Sequence, residues 1–542
     1  MPSTSQHVIR QQHLHVDLNG TESDALALQR RLPGICRDWL IPAVEQALEQ
    51  FAPPDGHLYI DRLEVDAGMM EIDHLEYVLA EKIRQPLEKT LREYVRIADL
   101  PTPIRSDSLV NQKGTTYKTE QQATHDAFIY FLIFGSLPWT FRLSLGTTLE
   151  QVVTNLWQET AVPGAGHVSF ANRVAHTLAL ETSRQRLTRQ FTTGFLEKLL
   201  ASLSPAGKKE MDTVLERIRV TGASQAVVKQ LEQPLWETAF KNLASGNAFS
   251  SQELLNEVRR TLPVTIEQGA ALDRVLEKYN PTLTGHGQSR QGKKVKVIQT
   301  KDVETVRSGK AVTGHEAVTG PQIPLIDMAA PSGAREGDHK DSDGFDGIKN
   351  TVMVKPTRSV LEEMRISRIE HPEAREGIYI ENAGLVILHP FLPRFFEALN
   401  IATEDKLLQP ERALCLLHFL TTGRSLAPEY ELVLPKILCN VPLETPVASD
   451  LALTMEEKEE ASALLLAVIR HWEVLRNTSP DGLRGTFLVR PGKLSLRDNG
   501  DWLLQVESNS FDILLEQLPW GISMIKLPWM GKMLLVEWCQ VF

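Results

Sequence analysis

Five glycines are followed directly by lysine, at Gly207, Gly292, Gly309, Gly492 and Gly531, and none of these lysines is followed by serine or threonine. A phosphate-cradling loop needs that hydroxyl to hold magnesium once the lysine reaches the phosphates, so the nucleotide-binding motif is not written here. "GRSLA" from Gly423 and "GASQA" from Gly222 place Ser425 and Ser224 between small residues, as a hydrolase nucleophile would sit. That elbow requires a strand before the serine, and both sites follow helical patterns. "HEAVT" at His315 lacks the second histidine of a zinc-protease helix. "DSDGFDG" from Asp341 is calcium-loop-like, but Phe345 takes a ligand position and no glutamate stands at the twelfth place. His13 and His15 share one face of a predicted strand without a third metal ligand, and His389 has no nucleophile beside it. The four cysteines, Cys36, Cys415, Cys439 and Cys539, show no CxxC spacing and sit in apolar contexts, which reads as small buried hydrophobes in a reducing compartment. The expectation is a non-enzyme with no catalytic, metal-binding or cofactor-binding residues and no cofactor.

The surrounding elements support that reading. The pattern predicts a mainly helical α+β chain. Residues 1–100 form a small α+β unit: "HLHVDL" alternates Leu14, Val16 and Leu18 with polar residues, as a half-buried strand does. A helix follows over about 23–51, broken or kinked near Pro33 and Pro42. "HLYIDRLEVDAG" is a second strand, and a helix over about 73–98 puts Leu75, Val78, Leu79, Ile83, Leu87 and Leu91 on one face. Residues 100–122 are polar and rich in Pro, Ser and Thr, a linker or loop. Residues 123–280 read as a bundle of modest helices without a sustained heptad.

Residues 281–355 are rich in Gly, Ser, Lys, Asp and Thr and poor in aromatics, which predicts a disordered linker; "GKKVKVIQTK" belongs to its solvated part rather than to a nucleic-acid site. Beyond it, 356–480 is helical and 481–542 is β-rich. "QPERALCLLHFLTTG" is a helix with Pro410 near its start and Gly423 at its end. "APEYELVLPKILCNVPL" is another, kinked or ended at Pro435. Thr454 and Glu457 form a capping box before "EEASALLLAVIRHWEVL". "GTFLVRPGKLSLRDNGDWLLQVES" reads as three short strands with turns at "PG" and "NG", "SFDILLEQLP" as a short helix, and "GISMIKLP" and "MLLVEW" as strands.

Composition sets the partners. Hydrophobic content of 42% and charged content of 23% belong to soluble globular chains. A net charge of −11 repels polyphosphate, so nucleic acid is not the expected partner. No run reaches 18 apolar residues, so no membrane span is expected, and the N-terminus has no secretory pattern. The most apolar stretch, "IENAGLVILHPFLPRFFEAL" from Ile380, is interrupted by charges and by Pro390 and Pro393. Phe391, Phe395 and Leu399 recur four apart, so it reads as a buried corner opening an amphipathic helix. "LPW" occurs three times, ending at Trp139, Trp520 and Trp529. Proline stiffens the backbone while tryptophan offers a large apolar face with one donor, so these three are candidate core or interaction anchors.

The blocks "GIYIENAGLVILHPFLPRFFEAL", "ERALCLLHFLTTG", "PEYELVLPKILCNVPL" and "ILLEQLPWGISMIKLPWM", with N-terminal "HVIRQQHLHVDL", "LYIDRLEVDAG" and "FLIFGSLPW", resemble the tape measure proteins of contractile injection systems. These are phage-tail-like particles of the antifeeding-prophage and Photorhabdus virulence cassette kind. The resemblance implies a non-enzymatic assembly role: setting the length of the inner tube and sheath, with the inner tube and baseplate hub proteins as partners, self-association, cytoplasmic assembly and a place inside the released particle. An assembly chaperone or adaptor for hub, tube or cargo proteins is the alternative. One continuous helix of this length would reach on the order of 800 Å. The proline-broken amphipathic pieces instead predict compact domains.

Overall fold

The computed structural model describes residues 7–9, 12–52, 56–98, 115–144, 146–159, 165–220, 225–247, 249–261, 371, 373–449 and 451–538. The described residues on both sides of 262–370 belong to one compact unit. The stretch 281–355, read from its composition as a linker, lies outside the described residues.

The fold is mainly helical α+β. Near the N-terminus, α1 (Glu22–Ile35) is capped by Thr21 and Asp24, which satisfy each other's backbone donors. Pro33 lies inside α1, and a single wide π turn (Cys36–Leu40) leads into α2 (Ile41–Gln50), which begins at Pro42. The run of helical residues is therefore continuous from Glu22 to Gln50 rather than broken at either proline. After β1 (His57–Ile60), α3 (Leu75–Ala98) buries Leu75, Leu79, Ile83, Leu87 and Leu91 against Leu28, Ile35, Leu40 and Ala47. Spacing by four residues stacks these side chains along one stripe.

Two readings of this region are corrected. "HLHVDL" joins no sheet, and Leu14 and Val16 are 38% and 44% exposed. In "HLYIDRLEVDAG" only His57–Ile60 is a paired strand, and its antiparallel partner is β2 (Thr115–Lys118), within the stretch read as a loop. Alternation marks where a strand can form, but the ladder is fixed by a partner segment that alternation does not name.

The next helices are α4 (Glu120–Phe134), α5 (Leu149–Glu159), α6 (Ala165–Thr177), α7 (Glu181–Gln190), α8 (Thr193–Leu203), α9 (Pro205–Val220), α10 (Gln225–Ala244) and α11 (Ser251–Thr261). They share one core, in which Phe128, Phe131, Phe191, Phe195, Trp236 and Phe240 are buried. The second half of α4, residues 127–134, is apolar on nearly every side, the pattern of a helix surrounded by others.

In the C-terminal part, β3 (Ile378–Ile380) runs into a 3-10 segment, Ala383–Leu388, all six of whose residues are buried. Then come α12 (Leu392–Ala398), α13 (Pro410–Thr422), α14 (Val433–Leu438), α15 (Met455–His471) and α16 (Pro480–Leu483). Pro410 and Gly423 bound α13 as their positions imply, and Thr454 and Glu457 form the capping box of α15. Pro435 does not end a helix. It sits in the first turn of α14, where a missing donor costs least.

Strands β4 (Gly492–Leu496), β5 (Trp502–Val506), β6 (Met524–Ile525) and β7 (Leu534–Trp538) complete a sheet of order β3-β4-β5-β7-β6. Only β5 and β7 are parallel, and the crossover between them carries the 3-10 segment Ser510–Gln517. Where three strands were read from "GTFLV" onward, the sheet has two, because Arg484–Leu488 closes a π turn after α16.

Candidate functional site

Among the described residues, those singled out for chemistry stay apart. Ser425 is exposed on the loop after α13, and His389 follows the 3-10 segment with Nδ1 3.0 Å from the carbonyl of Val386. Burial pushes the His389 imidazole below its ordinary pKa. His13 and His15 lie on the exposed N-terminal segment. Ser224, His315 and Asp341 are outside the described residues, and no metal-holding group of histidine, cysteine, aspartate and glutamate occurs among those described. Cys415 and Cys439 are buried, Cys36 is half-buried, and Cys539 lies outside the described residues.

A pairing that motif reading missed is Ser136 with His371. Ser136 Oγ lies 2.7 Å from His371 Nε2, a nucleophile–base distance. The environment does not suit catalysis. Ser136 is 3% exposed, and His371 packs against Tyr130 and Phe134, so a substrate carbonyl has no approach. His371 Nδ1 has no hydrogen-bond partner, so the group that would orient the base is missing among the described residues. Burial, with Lys436 and Arg186 nearby, lowers the imidazole pKa to about 4 and keeps it neutral.

Those two cations belong to the most concentrated polar cluster of the described core. Glu429 accepts from Arg186 Nε at 3.0 Å through Oε2 and from Lys436 Nζ at 2.6 Å through Oε1. The three side chains are 0%, 0% and 2% exposed for Arg186, Glu429 and Lys436. Arg186 also donates to the carbonyls of Leu132, Ile133 and Glu444, and Lys436 to those of Leu443 and Thr445. One carboxylate and five carbonyls thus balance two cations, which is how buried charge is tolerated. Burial lowers the Lys436 pKa, opposed chiefly by Glu429.

Gly135, which caps α4 at φ +77°, makes room for this cluster: a Cβ there would stand 2.4 Å from Glu429 Oε1. The "FGSLPW" and "PEYELVLPK" blocks therefore meet at one buried point, although Arg186 and Glu429 are 243 residues apart in sequence. Around it, Gln190 accepts from the Glu429 amide and donates to the Val447 carbonyl, while Arg142 pairs with Glu381 at 3.1 Å. The cluster joins the α4–α11 bundle to the C-terminal part within the single unit.

The "IENAGLVILHPF" corner is held from several sides. Asn382 donates to the Glu431 carbonyl at 2.8 Å, and the Ala383 amide donates to the Arg490 carbonyl at 2.9 Å. A Cβ on Gly384 would lie 1.7 Å from the Phe487 carbonyl oxygen, so only glycine permits this approach of two backbones. Trp520 is half-buried, donates to the Ile387 carbonyl at 3.0 Å and meets Phe391 edge-on. Trp529 is buried, donates to the Leu438 carbonyl at 2.9 Å and packs on Phe396. Trp139 is half-buried and lines a cleft of about 2860 Å³ bordered by the segments at 12–19 and 61–71.

Among the described residues no helix is long and apolar enough to cross a membrane. A family model described as contractile injection system tape measure protein matches residues 6–538. No curated protein and no solved structure matches the chain.

Proposed function

We propose that this chain, which belongs to the contractile injection system tape measure protein family, sets the length of the particle's inner tube and sheath through contacts with inner tube and baseplate hub proteins. The family is one of structural assembly proteins. The match over residues 6–538 carries the reading, because it takes in the core and both faces of the Arg186–Glu429–Lys436 junction. The pairing of Ser136 with His371 is buried among aromatics and gives a catalytic reading no support. Assembly takes place in the cytoplasm, and the chain then resides inside the particle. Of the three LPW tryptophans, Trp139 borders the open cleft and is the one best placed to serve as an interaction anchor; Trp520 and Trp529 act as core anchors.

One observation favours a second reading. Residues on both sides of 281–355 pack into one unit with a continuous set of buried contacts, whereas a stretched ruler would have to give these up. An assembly adaptor that binds hub or tube proteins and leaves before maturation would keep them. The composition of purified particles separates the two: a tape measure is found in them, while an adaptor is absent although its deletion stops assembly.

A further inference from the structure

Beyond the end of β1 at Ile60 the chain bends at Asp61, and residues 62–67 then alternate in burial as a strand does, without joining a ladder. Leu63, Val65 and Ala67 turn inward against the cores of α1–α3, while Arg62, Glu64 and Asp66 face outward. Arg62 and Glu64 are 81% and 73% exposed and pair with each other. Gly68 ends the segment, its amide donating to Asp66 Oδ1 at 2.8 Å. Among the described residues, no backbone hydrogen bond engages the amides or carbonyls of 61–67. A row of unpaired donors and acceptors on an apolar-backed strand is a template for another strand.

The sequence of this edge complements itself. In an antiparallel pairing centred on Glu64, Arg62 of one copy faces Asp66 of the other, twice, and Leu63 faces Val65, twice. Opposed residues of an antiparallel pair share a face, so the charges meet on the outer side and the apolar residues on the inner side. The Glu64 carboxylates meet at the axis, each beside its own chain's Arg62. We infer that residues 61–67 are the contact of a two-fold dimer of this chain, formed by antiparallel strand addition about Glu64. Such an interface is isologous: one patch serves both copies. It is independent of the tube-length role, since it is read on the purified chain.

Disulfide capture tests the register. Directly opposed Cα atoms of an antiparallel pair lie about 4.5–5.5 Å apart, within disulfide range. Residues four positions out of register are displaced by roughly 14 Å along the strand, beyond it. In a Cys36→Ser, Cys539→Ser background, Glu64→Cys under mild oxidation gives a covalent dimer. Arg62→Cys alone and Asp66→Cys alone do not, but a mixture of these two chains does. Arg62→Asp slows the Glu64→Cys capture about tenfold by setting like charges across the pair, and Arg62→Asp with Asp66→Arg restores it. Circular dichroism checks that each variant is folded. If Glu64→Cys forms dimer no faster than the other single variants, and the mixture adds nothing, the dimer is overturned. If Arg62→Cys instead forms a disulfide with Asp17→Cys inside one chain, the edge belongs to residues 12–18 and the dimer is likewise overturned.

Discussion

Glu429→Gln isolates the junction between the helical bundle and the C-terminal part. The substitution keeps the side chain's volume and one carbonyl oxygen but removes the charge that Arg186 and Lys436 share. An amide nitrogen then faces one of two cations, donor against donor. Removing one partner of a fully buried ion pair costs about 3–5 kcal/mol. Lys436 limits the loss: burial already lowers its pKa, and without the carboxylate it can give up its proton. Arg186 has no such release and retains only the carbonyls of Leu132, Ile133 and Glu444. The expected loss is therefore about 3 kcal/mol, the low end of the buried-pair range. Urea unfolding followed by tryptophan fluorescence measures it, since the core holds Trp236, Trp472 and Trp529. Adding Lys436→Met removes one uncompensated cation, so the double variant recovers at least about 1 kcal/mol relative to additivity. A loss below about 1 kcal/mol, with no coupling between the two sites, is the behaviour of an exposed pair and would refute the junction's role.

Two further outcomes follow from the same geometry. Gly384→Ala drives a methyl group into the Phe487 carbonyl oxygen, so the corner cannot close as it stands; the expected cost exceeds about 4 kcal/mol, seen as loss of soluble folded protein, and wild-type thermal stability would contradict it. For His371, the folded pKa of about 4 lies below the ordinary 6.5, so the unfolded chain takes up its proton first. The stability linked to this group is present above pH 6.5 and falls away as the pH drops towards about 4, by up to about 3 kcal/mol; His371→Gln flattens that acid limb in denaturation midpoints measured from pH 7 to 4.5.

Local chemistry made much of this fold readable in the sequence. Pro410, Gly423, Thr454 and Glu457 bound their helices because caps and prolines act within one turn. The buried stripe of α3 followed from four-residue spacing, and the corner at Asn382 from apolar density broken by prolines. What stayed hidden depends on distant partners. Nothing local marks Arg186 as the counter-ion of Glu429, since an arginine in "ETSRQRLTRQ" has the pattern of a solvated helix face. The partner of β1 lay in a polar stretch that composition marks as a loop, and "HLHVDL" has the alternation of a strand without the ladder. The proximity of Ser136 and His371 likewise comes from packing across 235 residues of sequence.

The length-setting role is tested most directly by changing the length of the chain. An in-frame insertion of about 60 helix-forming residues within 282–350 leaves Arg186, Glu429 and Lys436 and their sequence neighbours unchanged, and adds on the order of 90 Å of helix at 1.5 Å per residue. Electron microscopy of particles carrying this variant is expected to show tubes and sheaths lengthened in step with the insertion, and shortened by a matching deletion. Particles that assemble in normal numbers with unchanged tube length in both variants would contradict the tape-measure role and leave the adaptor in its place.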